Sequence, residues 1–509
     1  MAKEVSINNS LIVDDLWKGL GSHFDTFAQV LCEFIDNSIS SFIANSSVSR
    51  TIIIRLNEKE GNIDVSIEDS GAGIKELNSA FTIGSKLSKE TCMNEHGFGM
   101  KHALAAANIN NDNWSIYTRT KDDFIKRDFK KIEAPYKVTT FDNSGQIIDS
   151  LKVKILESGE DQWPGELNGS GTYINFKCER QFFNTLRSGL KGNYNFKSLI
   201  KILKEELGFV YSGIIKQNKA TITIAYTDRE NNSGTEIVEA LEPQWKKYFG
   251  IGKGEANCDL GAGNVKLIYE FGCISNNNEN YKYYKKNMSS SGVEIRLNGR
   301  LIEYNLFKEI WGIEKHNKYN YLLIRIDLIS EDQNKLPMTR ATKNGLRQGD
   351  IRLNKVYSFI LEHLPEVTGE IDSDGIDDEV DLFVELERIK QQQLDDPKTI
   401  TREQKVFKAI HEKVRIDLYI KNQDNVIIYE GKKDKTTPKD VYQLKMYWDG
   451  CIADGITPTI GRLISRSHPE SVRLLVEYVN QMKDIQGNNY NFQVKTWRED
   501  SVRYPEFNE

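Results

Sequence analysis

The apolar positions of the chain follow helical spacing in some stretches and strict alternation in others, and these periods predict its elements. Residues from about 10 to 48 have apolar side chains spaced by three and four around VLCEFIDNSISSFIA, which indicates helix. TIIIRL and NIDVSIED then alternate, as a strand pair running into a turn does, and SGTYINFKC at 170–178 predicts a further strand. We therefore expect a mixed α/β domain over residues 1–188.

A second pattern covers residues 189–365. It begins with a helix in FKSLIKILKEELGFVYSGII, continues with strands at ATITIAYT, VKLIYEFG, GVEIRLNGRLIEYN and YLLIRIDLI, and ends in the loop KLPMTRATKNGL. Residues 366–400 are acidic and weakly apolar, which is typical of a solvated linker with room for one exposed helix. Residues 401–509 return to helix, two strands and a helix. The expected fold class is α/β multidomain (α+β).

Composition and charge narrow the class of protein. With 39% hydrophobic and 28% charged residues, the composition is that of a soluble globular protein. No apolar run has the length of a membrane span, MAKEVSINNS lacks a signal-peptide pattern, and the six cysteines form no CxxC pair. We therefore expect a cytoplasmic protein with no membrane partner, no disulfides and no zinc site. The formal net charge of -6 leaves any contact with nucleic acid to local basic surface.

The segment EFIDN carries three candidate nucleotide-site residues on one face of a predicted helix. Glu33, Asp36 and Asn37 lie three or four positions apart, so their side chains share that face. The amide oxygen of Asn37 suits Mg²⁺, a hard cation that prefers oxygen ligands. Glu33 has the chemistry to orient or deprotonate an attacking water. The alternative is an acidic helix face that is only solvated.

Two glycine-containing turns follow. IEDSGAGI ends a strand with Asp69, whose carboxylate can accept a hydrogen bond from an adenine amino group, and Gly71 and Gly73 permit close approach of backbone to a ligand. NEHGFGMKHALAAA opens a helix with free backbone N–H groups, which suits phosphate. Its candidate nucleotide contacts are Gly97, Phe98, Gly99, Met100 and Lys101. Taken alone, each string is common in ordinary turns and helix caps.

The three motifs, in the order EFIDN, DSGAG and HGFGMKH, enclose the Ser- and Lys-rich stretch IGSKLSKETCMN between the last two. In this order they resemble the GHKL superfamily of Bergerat-fold ATPases, which includes gyrase-type topoisomerases, large heat-shock chaperones, histidine kinases and MutL. The resemblance implies ATP and Mg²⁺ as cofactors, Asn37 as the Mg²⁺ ligand, Glu33 as the general base and Asp69 as the adenine contact. It also implies a lid over the triphosphate that includes Lys86, and a water-mediated adenine contact at Thr172.

Within that superfamily, FTIGSKLSKETCMNEHGFGMKHA is most similar to MORC-type ATPases, and GVEIRLNGRLIEY resembles a strand of their second, transducer domain. The resemblance covers about the first 350 residues and implies an ATP-dependent homodimer. It also implies that a transducer lysine reaches the γ-phosphate. Lys343 in PMTRATKNG is the candidate, with Lys335 as the alternative.

A separate constellation lies in residues 401–509. RIDLYIKNQDNVIIYEGKK places Asp417 on one strand and Glu430 and Lys432 on the next, where the side chains of an antiparallel pair converge. The two carboxylates offer oxygen ligands to Mg²⁺ or Mn²⁺, and the lysine can stabilise developing charge. With Gln443 and Tyr447 on the following helix, the arrangement resembles the PD-(D/E)XK nuclease superfamily and implies a restriction-endonuclease-like fold.

Two features of this region stay open at the level of sequence. An acid from the leading helix often completes the site in the nuclease superfamily, and Glu403 and Glu412 are equal candidates for it. Several basic residues are candidates for contacts with DNA phosphates, namely Lys433, Lys435, Lys439, Arg462 and Arg466. The alternative for the whole region is a small interaction domain, or a nuclease fold that binds DNA without cutting it.

The combined reading is an ATP-gated dimer whose nucleotide cycle controls a metal-dependent endonuclease acting on double-stranded DNA. A role in bacterial restriction or anti-phage defence is an analogy from this architecture. Two other functions are compatible with the same motifs: a non-cleaving DNA clamp of MORC type, and a chaperone-like ATPase acting on protein. Whether a partner protein is needed is left open.

Overall fold

The computed structural model divides the chain into two compact units, Met1–Thr368 and Gly369–Glu509. The described residues are 13–44, 49–83, 99–142, 144–157, 162–245, 252–275, 277, 279–285, 287–315, 319–340, 343, 345–364, 376–393, 400–407, 414–422 and 425–502.

The first unit mixes helices and strands throughout its length. Its helices are α1 Val13–Gly21, α2 Phe27–Ala44, α3 Leu77–Phe81, α4 Gly99–Ala107, α5 Lys121–Lys126, α6 Arg180–Phe183, α7 Phe196–Val210, α8 Ser212–Lys216, α9 Lys308–Trp311 and α10 Ile351–His363. Its strands are β1 Thr51–Glu58, β2 Asn62–Asp69, β3 Trp114–Arg119, β4 Phe129–Glu133, β5 Thr140–Phe141, β6 Ile147–Asp149, β7 Val153–Leu156, β8 Gly171–Glu179, β9 Thr221–Thr227, β10 Ser233–Ile237, β11 Gly252–Asp259, β12 Asn264–Cys273, β13 Gly292–Leu297, β14 Arg300–Leu306 and β15 Leu322–Ile329.

The larger sheet of the described part of this unit has eight strands in the order β10-β9-β1-β2-β8-β3-β4-β7. Alternate residues of β1, such as Ile52 and Ile54, are fully buried, and helices α2 and α4 pack together in the same core. β2 and β8 are antiparallel, and their register places Asp69 opposite Thr172. The candidate adenine residues therefore lie side by side at one end of the sheet.

The sheet extends beyond the predicted domain boundary at residue 188. β9 pairs in parallel with β1, and β10 pairs with β9, so residues 221–237 belong to the first sheet. The physical reason is that β1 would otherwise be an edge strand, and Ile222 and Ile224 continue its buried apolar face. The second sheet begins only after these strands, in the order β11-β12-β15-β13-β14. Buried residues of both sheets form one continuous core.

The second unit has a single mixed sheet, in the order β16-β17-β18-β19-β20 over the residues described. Its elements are α11 Ile376–Gln393, β16 Ile400–Val406, β17 Val414–Asn422, β18 Asn425–Gly431, α12 Pro438–Ala453, β19 Ile460–Ser465, α13 Glu470–Asn480 and β20 Phe492–Thr496. β18, β19 and β20 run parallel, which requires crossovers, and α12 and α13 provide them. The predicted α/β multidomain class is confirmed by this architecture.

The structure differs from the predicted solvated linker at 366–400. Four side chains of α11, Leu382, Phe383, Leu386 and Ile389, are buried against apolar residues of the second unit's sheet. Their spacing by one, three and three positions forms a single apolar stripe along the helix. The segment also contains many acidic residues, so its composition alone does not reveal this stripe. Helix α11 is therefore part of the folded unit. In the described residues, no helix combines the length and apolarity that crossing a bilayer demands.

A stability measurement tests the packing of α11. Leu386 is fully buried, so we expect Leu386→Ala to lower the free energy of unfolding by about 2–5 kcal/mol. Gln391, which is exposed on the same helix, is the matched control, and Gln391→Ala should change it by less than about 0.5 kcal/mol. Urea unfolding followed by tryptophan fluorescence measures both. Equally small effects would contradict the buried position of α11.

Candidate functional site

Helix α2 carries two carboxylates into the interior of the first unit. Glu33 is 1% exposed and Asp36 is fully buried. A buried charge is stable only with a counter-ion, and here it is Lys343, itself 4% exposed. Its Nζ lies 3.1 Å from Glu33 Oε2 and 3.5 Å from Asp36 Oδ2. The structure thus brings together two motifs that are 310 residues apart in sequence.

The two carboxylates have different partners beyond Lys343. Asp36 Oδ1 accepts hydrogen bonds from Arg300 Nε at 2.7 Å and from the Tyr211 hydroxyl at 2.8 Å. These are protein groups, so Asp36 is engaged inside the fold rather than presented to a nucleotide. Among the described residues, Glu33 Oε1 has no hydrogen-bond partner, and Asp36 Oδ2 has none beyond the 3.5 Å approach of Lys343. Glu33 differs in that Lys343 is the only described side chain that donates to it. Asn37, one turn after Glu33, is half-buried.

Burial makes Glu33 a stronger base than an exposed glutamate. Desolvation raises its pKa, and the positive charge of Lys343 is the largest influence that opposes this rise. An unpartnered carboxylate oxygen beside a half-buried amide on the same helix face offers oxygen ligands for a hydrated Mg²⁺ ion and a hydrogen-bond acceptor for water. The residues present therefore fit the Mg²⁺ and ATP that the resemblance implies.

At the end of β2, Asp69 is buried within a set of donors. Its carboxylate accepts from the Gly71 backbone N–H at 2.8 Å and from Ser38 Oγ at 3.1 Å. Burial nevertheless raises the pKa of Asp69 to about 6. Gly73 has a φ of 72°, and an added Cβ would collide with the Arg119 carbonyl. Position 73 therefore requires glycine for two independent reasons, backbone conformation and lack of space.

Helix α4 begins at Gly99 directly against Glu33: a Cβ at position 99 would collide with the Glu33 carboxylate. Met100 is half-buried and packs on the core. Lys101 points elsewhere than expected, because its ammonium donates to the carbonyls of Ala80 at 2.8 Å and Thr82 at 3.1 Å. In this structure it anchors the end of α3. The other candidates of this region, Lys86, Gly97 and Phe98, lie outside the described residues.

The two lysines predicted as alternatives for the γ-phosphate contact occupy different environments. Lys343 is buried beside Glu33, whereas Lys335 lies in a short turn, where its side chain is next to Gly263. Lys343 also has a φ of 51°, an uncommon backbone conformation for a residue other than glycine. Of the two alternatives, the structure brings Lys343 to the candidate site.

In the second unit, β17 and β18 place Asp417 beside Glu430. The Gly431 backbone N–H donates to Asp417 Oδ2 at 2.9 Å, and Lys432 Nζ lies 2.9 Å from Glu430 Oε1. Glu430 is fully buried. Desolvation raises the pKa of both carboxyl groups, and the charge of Glu430 raises that of Asp417 further. The three predicted residues do meet in one place.

Helix α12 adds the predicted Gln443 and Tyr447 to this place. Gln443 Nε2 donates to the Tyr447 hydroxyl at 2.9 Å. Burial raises the pKa of Tyr447, and the nearby charges of Asp417 and Glu430 raise it further. Glu403 lies on β16 with its carboxylate 3.8 Å from Arg415, while Glu412 lies outside the described residues. Among the residues described, no group of three or more His, Cys, Asp and Glu side chains forms a metal-binding cluster. Asp417 and Glu430 are the two acidic side chains that meet here.

Sequence patterns missed the residues that hold these sites in place. Phe383 of α11 packs on Gly431, between Glu430 and Lys432, where an added Cβ would lie 2.5 Å from its ring. The indole of Trp497 donates to the Lys432 carbonyl at 3.1 Å. Neither residue lies in a motif. Arg462, a candidate DNA contact, instead donates to the Tyr429 hydroxyl at 2.6 Å.

Comparison with known proteins agrees with the first site. Residues 25–148 match the family model described as histidine kinase-, DNA gyrase B-, and HSP90-like ATPase. This segment is therefore similar to the ATPase domains of the GHKL class, and its mixed α/β architecture is consistent with the Bergerat fold. No curated protein matches the chain.

Two solved structures have similar but distant folds. The N-terminal domain of a DNA repair protein is 13% identical, with a TM-score of 0.40, over 68% of this chain and 95% of that chain. The B subunit of DNA gyrase from Myxococcus xanthus is 9% identical, with a TM-score of 0.36, over 70% of this chain and 97% of that chain. At such scores, neither carries an argument about function.

The pKa of Asp69 gives a testable pH dependence of nucleotide binding. The ionised carboxylate is a stronger hydrogen-bond acceptor than the protonated acid, in which one oxygen becomes a donor, so affinity should fall as the pH is lowered through about 6. We expect about a tenfold loss of ATP affinity between about pH 8 and pH 5 from this group. Calorimetric titration measures it. Asp69→Asn is the control, since its amide oxygen accepts at every pH and leaves only the titration of the phosphates. Equal pH profiles would contradict the role of Asp69.

Proposed function

We propose that the first unit binds and hydrolyses ATP with Mg²⁺, and that this cycle controls a Mg²⁺- or Mn²⁺-dependent DNA endonuclease in the second unit. The observation that carries the ATPase proposal is the buried ion pair between Glu33 and Lys343. The ion pair is a resting state, because the charge of Lys343 lowers the pKa of Glu33 and makes it a weaker base than the same buried carboxylate without that cation. The nuclease proposal is supported by the meeting of Asp417, Glu430 and Lys432.

In the proposed nucleotide site, Asp69 reads the adenine with Thr172 beside it, and the start of α4 faces the phosphates. Asn37 would hold Mg²⁺, which neutralises phosphate charge when bound. The γ-phosphate attracts the Lys343 ammonium away from Glu33. Once that positive charge leaves, the pKa of the buried Glu33 rises further, and its free oxygen accepts the proton of the attacking water.

Nucleotide closure is proposed to bring two copies of the chain together, as the MORC-type resemblance implies. Lys343 lies in the transducer-like region, so its movement to the γ-phosphate links that region to the nucleotide. Such a change is a population shift, and its size equals the difference in ATP affinity between the open and closed states. ATP that bound both states equally would leave the dimer content unchanged.

In the second unit, Asp417 and Glu430 would hold the metal, which acts as a Lewis acid on the phosphodiester when bound. Both carboxyl groups have raised pKa values, so metal binding must displace a proton from the pair. Lys432, half-buried beside Glu430, is placed to stabilise the charge that develops on the scissile phosphate. Tyr447, which Gln443 holds by a hydrogen bond, lies close enough to the two carboxylates for their charges to raise its pKa.

The base role of Glu33 is tested by Glu33→Gln. The amide keeps the size of the side chain but does not accept a proton, so we expect ATP turnover to fall by about 10²–10⁴-fold. ATP binding should persist, because Asp69 and the start of α4 are intact. Phosphate release and nucleotide binding are measured on the same preparation. Turnover that survives this change would assign the base to another residue.

Plasmid cleavage tests the nuclease half. With Mg²⁺ or Mn²⁺ and ATP, the full chain should cut double-stranded DNA, while Lys432→Ala leaves the plasmid intact and ATP turnover unchanged. Lys439→Ala, an exposed lysine at the start of α12, is the matched control and should cut normally. Omitting ATP should abolish cutting by the unaltered protein.

The other outcomes of this experiment favour other functions. DNA-stimulated ATP turnover with intact plasmid would favour the non-cleaving DNA clamp, or a nuclease that awaits a partner protein. Turnover that ignores DNA would favour a chaperone-like ATPase acting on protein. A defensive role against phage is tested separately, by plaque counts on bacteria that carry the gene with Lys432 or with alanine in its place.

A further inference from the structure

The strongest feature outside the proposed chemistry is the set of contacts around Arg300. Its Nε donates to Asp36 Oδ1 at 2.7 Å, and its terminal nitrogen donates to the backbone carbonyls of Leu301 at 3.0 Å and Lys343 at 3.1 Å. Arg300 is the first residue of β14, in the second sheet, and it is 4% exposed. One side chain therefore touches the nucleotide-site helix and the backbone of the lysine that faces it.

The buried charges around this residue form a balanced group of four. Glu33 and Asp36 are negative, Lys343 and Arg300 are positive, and each is no more than 4% exposed. Asp36 divides its carboxylate between the two cations: Oδ1 takes Arg300, and Oδ2 lies 3.5 Å from Lys343. Coulomb attraction in such a dry site is strong, so any negative charge that Arg300 leaves uncompensated on Asp36 adds to the attraction that Glu33 exerts on Lys343.

We propose that Arg300 is a positioning residue that sets how readily Lys343 leaves the two carboxylates for the γ-phosphate. This inference rests on the proposed ATPase function. Because Arg300 neutralises Asp36, the attraction that Lys343 must overcome comes mainly from Glu33. The bond from Arg300 to the Lys343 carbonyl also ties the loop that carries the lysine to β14. Recognition of the third phosphate thus depends on where the β13–β14 hairpin lies.

Arginine has the geometry to bind the Asp36 carboxylate and the Lys343 carbonyl at the same time, and lysine does not. The planar guanidinium directs Nε to Asp36 and a second nitrogen to the two carbonyls, whereas an ammonium is a single point of charge on a flexible stem. Arg300→Lys should leave Asp36 less neutralised, so that Lys343 is held more tightly. Asp36→Asn should act in the opposite sense, because Lys343 then loses one of its two anions and is repelled by Arg300.

The measurement is the preference for three phosphates over two. It is the Kd for ADP divided by the Kd for a non-hydrolysable ATP analogue, taken by calorimetry on the full chain with Mg²⁺. We expect Arg300→Lys to lower this ratio by about tenfold and Asp36→Asn to raise it, with the Kd for ADP nearly constant. Arg296→Lys is the matched control, since Arg296 is equally buried on β13 and bonds to Glu294 at 3.0 Å. It should leave the ratio unchanged.

The outcomes distinguish failure of the role proposed for Arg300 from failure of the proposed ATPase function. If the unaltered protein binds neither nucleotide, the proposed ATPase fails. If it prefers the analogue but Arg300→Lys behaves like Arg296→Lys, or if both Arg300→Lys and Asp36→Asn weaken ADP and analogue alike, Arg300 is only structural and the inference is overturned. Should Arg300→Lys not fold, as judged by circular dichroism, the isosteric Asp36→Asn decides, and a ratio that does not rise refutes the proposal.

Discussion

The first unit is organised around the cost of keeping two carboxylates inside a protein. Glu33 and Asp36 are removed from water by the packing of α2, and neither charge would be tolerated there without cations close by. Those cations, Lys343 and Arg300, come from distant parts of the sequence. Folding of the second sheet onto the first is therefore also assembly of the site, and neither half is complete in charge without the other.

The sequence predicted the elements that carry the chemistry better than those that complete the fold. EFIDN, DSGAG and the D…ExK pair are local strings whose residue types follow from chemistry, and each lies on the kind of element expected. The extension of the first sheet by β9 depends on whether the edge of β1 is left without a neighbouring strand. The local hydrophobic periodicity of the sequence contains no information about this. Lys101 shows the same limit. Its position just after the glycine-rich turn predicts that it lies near the phosphates, whereas the direction of its side chain in the structure is set by the Ala80 and Thr82 carbonyls.

The second unit repeats this division between chemistry and support. Asp417, Glu430 and Lys432 could be found from spacing along two strands, whereas Phe383 and Trp497 could not. Both pack on the backbone between the motif residues rather than beside their side chains. Composition concealed the first of them, because the segment that carries Phe383 is rich in acidic residues. A segment that looks like a connector thus shapes a motif almost fifty residues away.

The glycine at the start of α4 constrains which substitutions the site can accept during evolution. A methyl group at Gly99 would occupy the space of the Glu33 carboxylate, so it is the acid, as much as any phosphate, that excludes a side chain there. Substitutions at positions 33 and 99 should therefore be coupled in evolution. A larger residue at position 99 requires that residue 33 is shorter or adopts another side-chain conformation. We therefore expect bulkier residues at position 99 in related proteins that lack the acid at position 33.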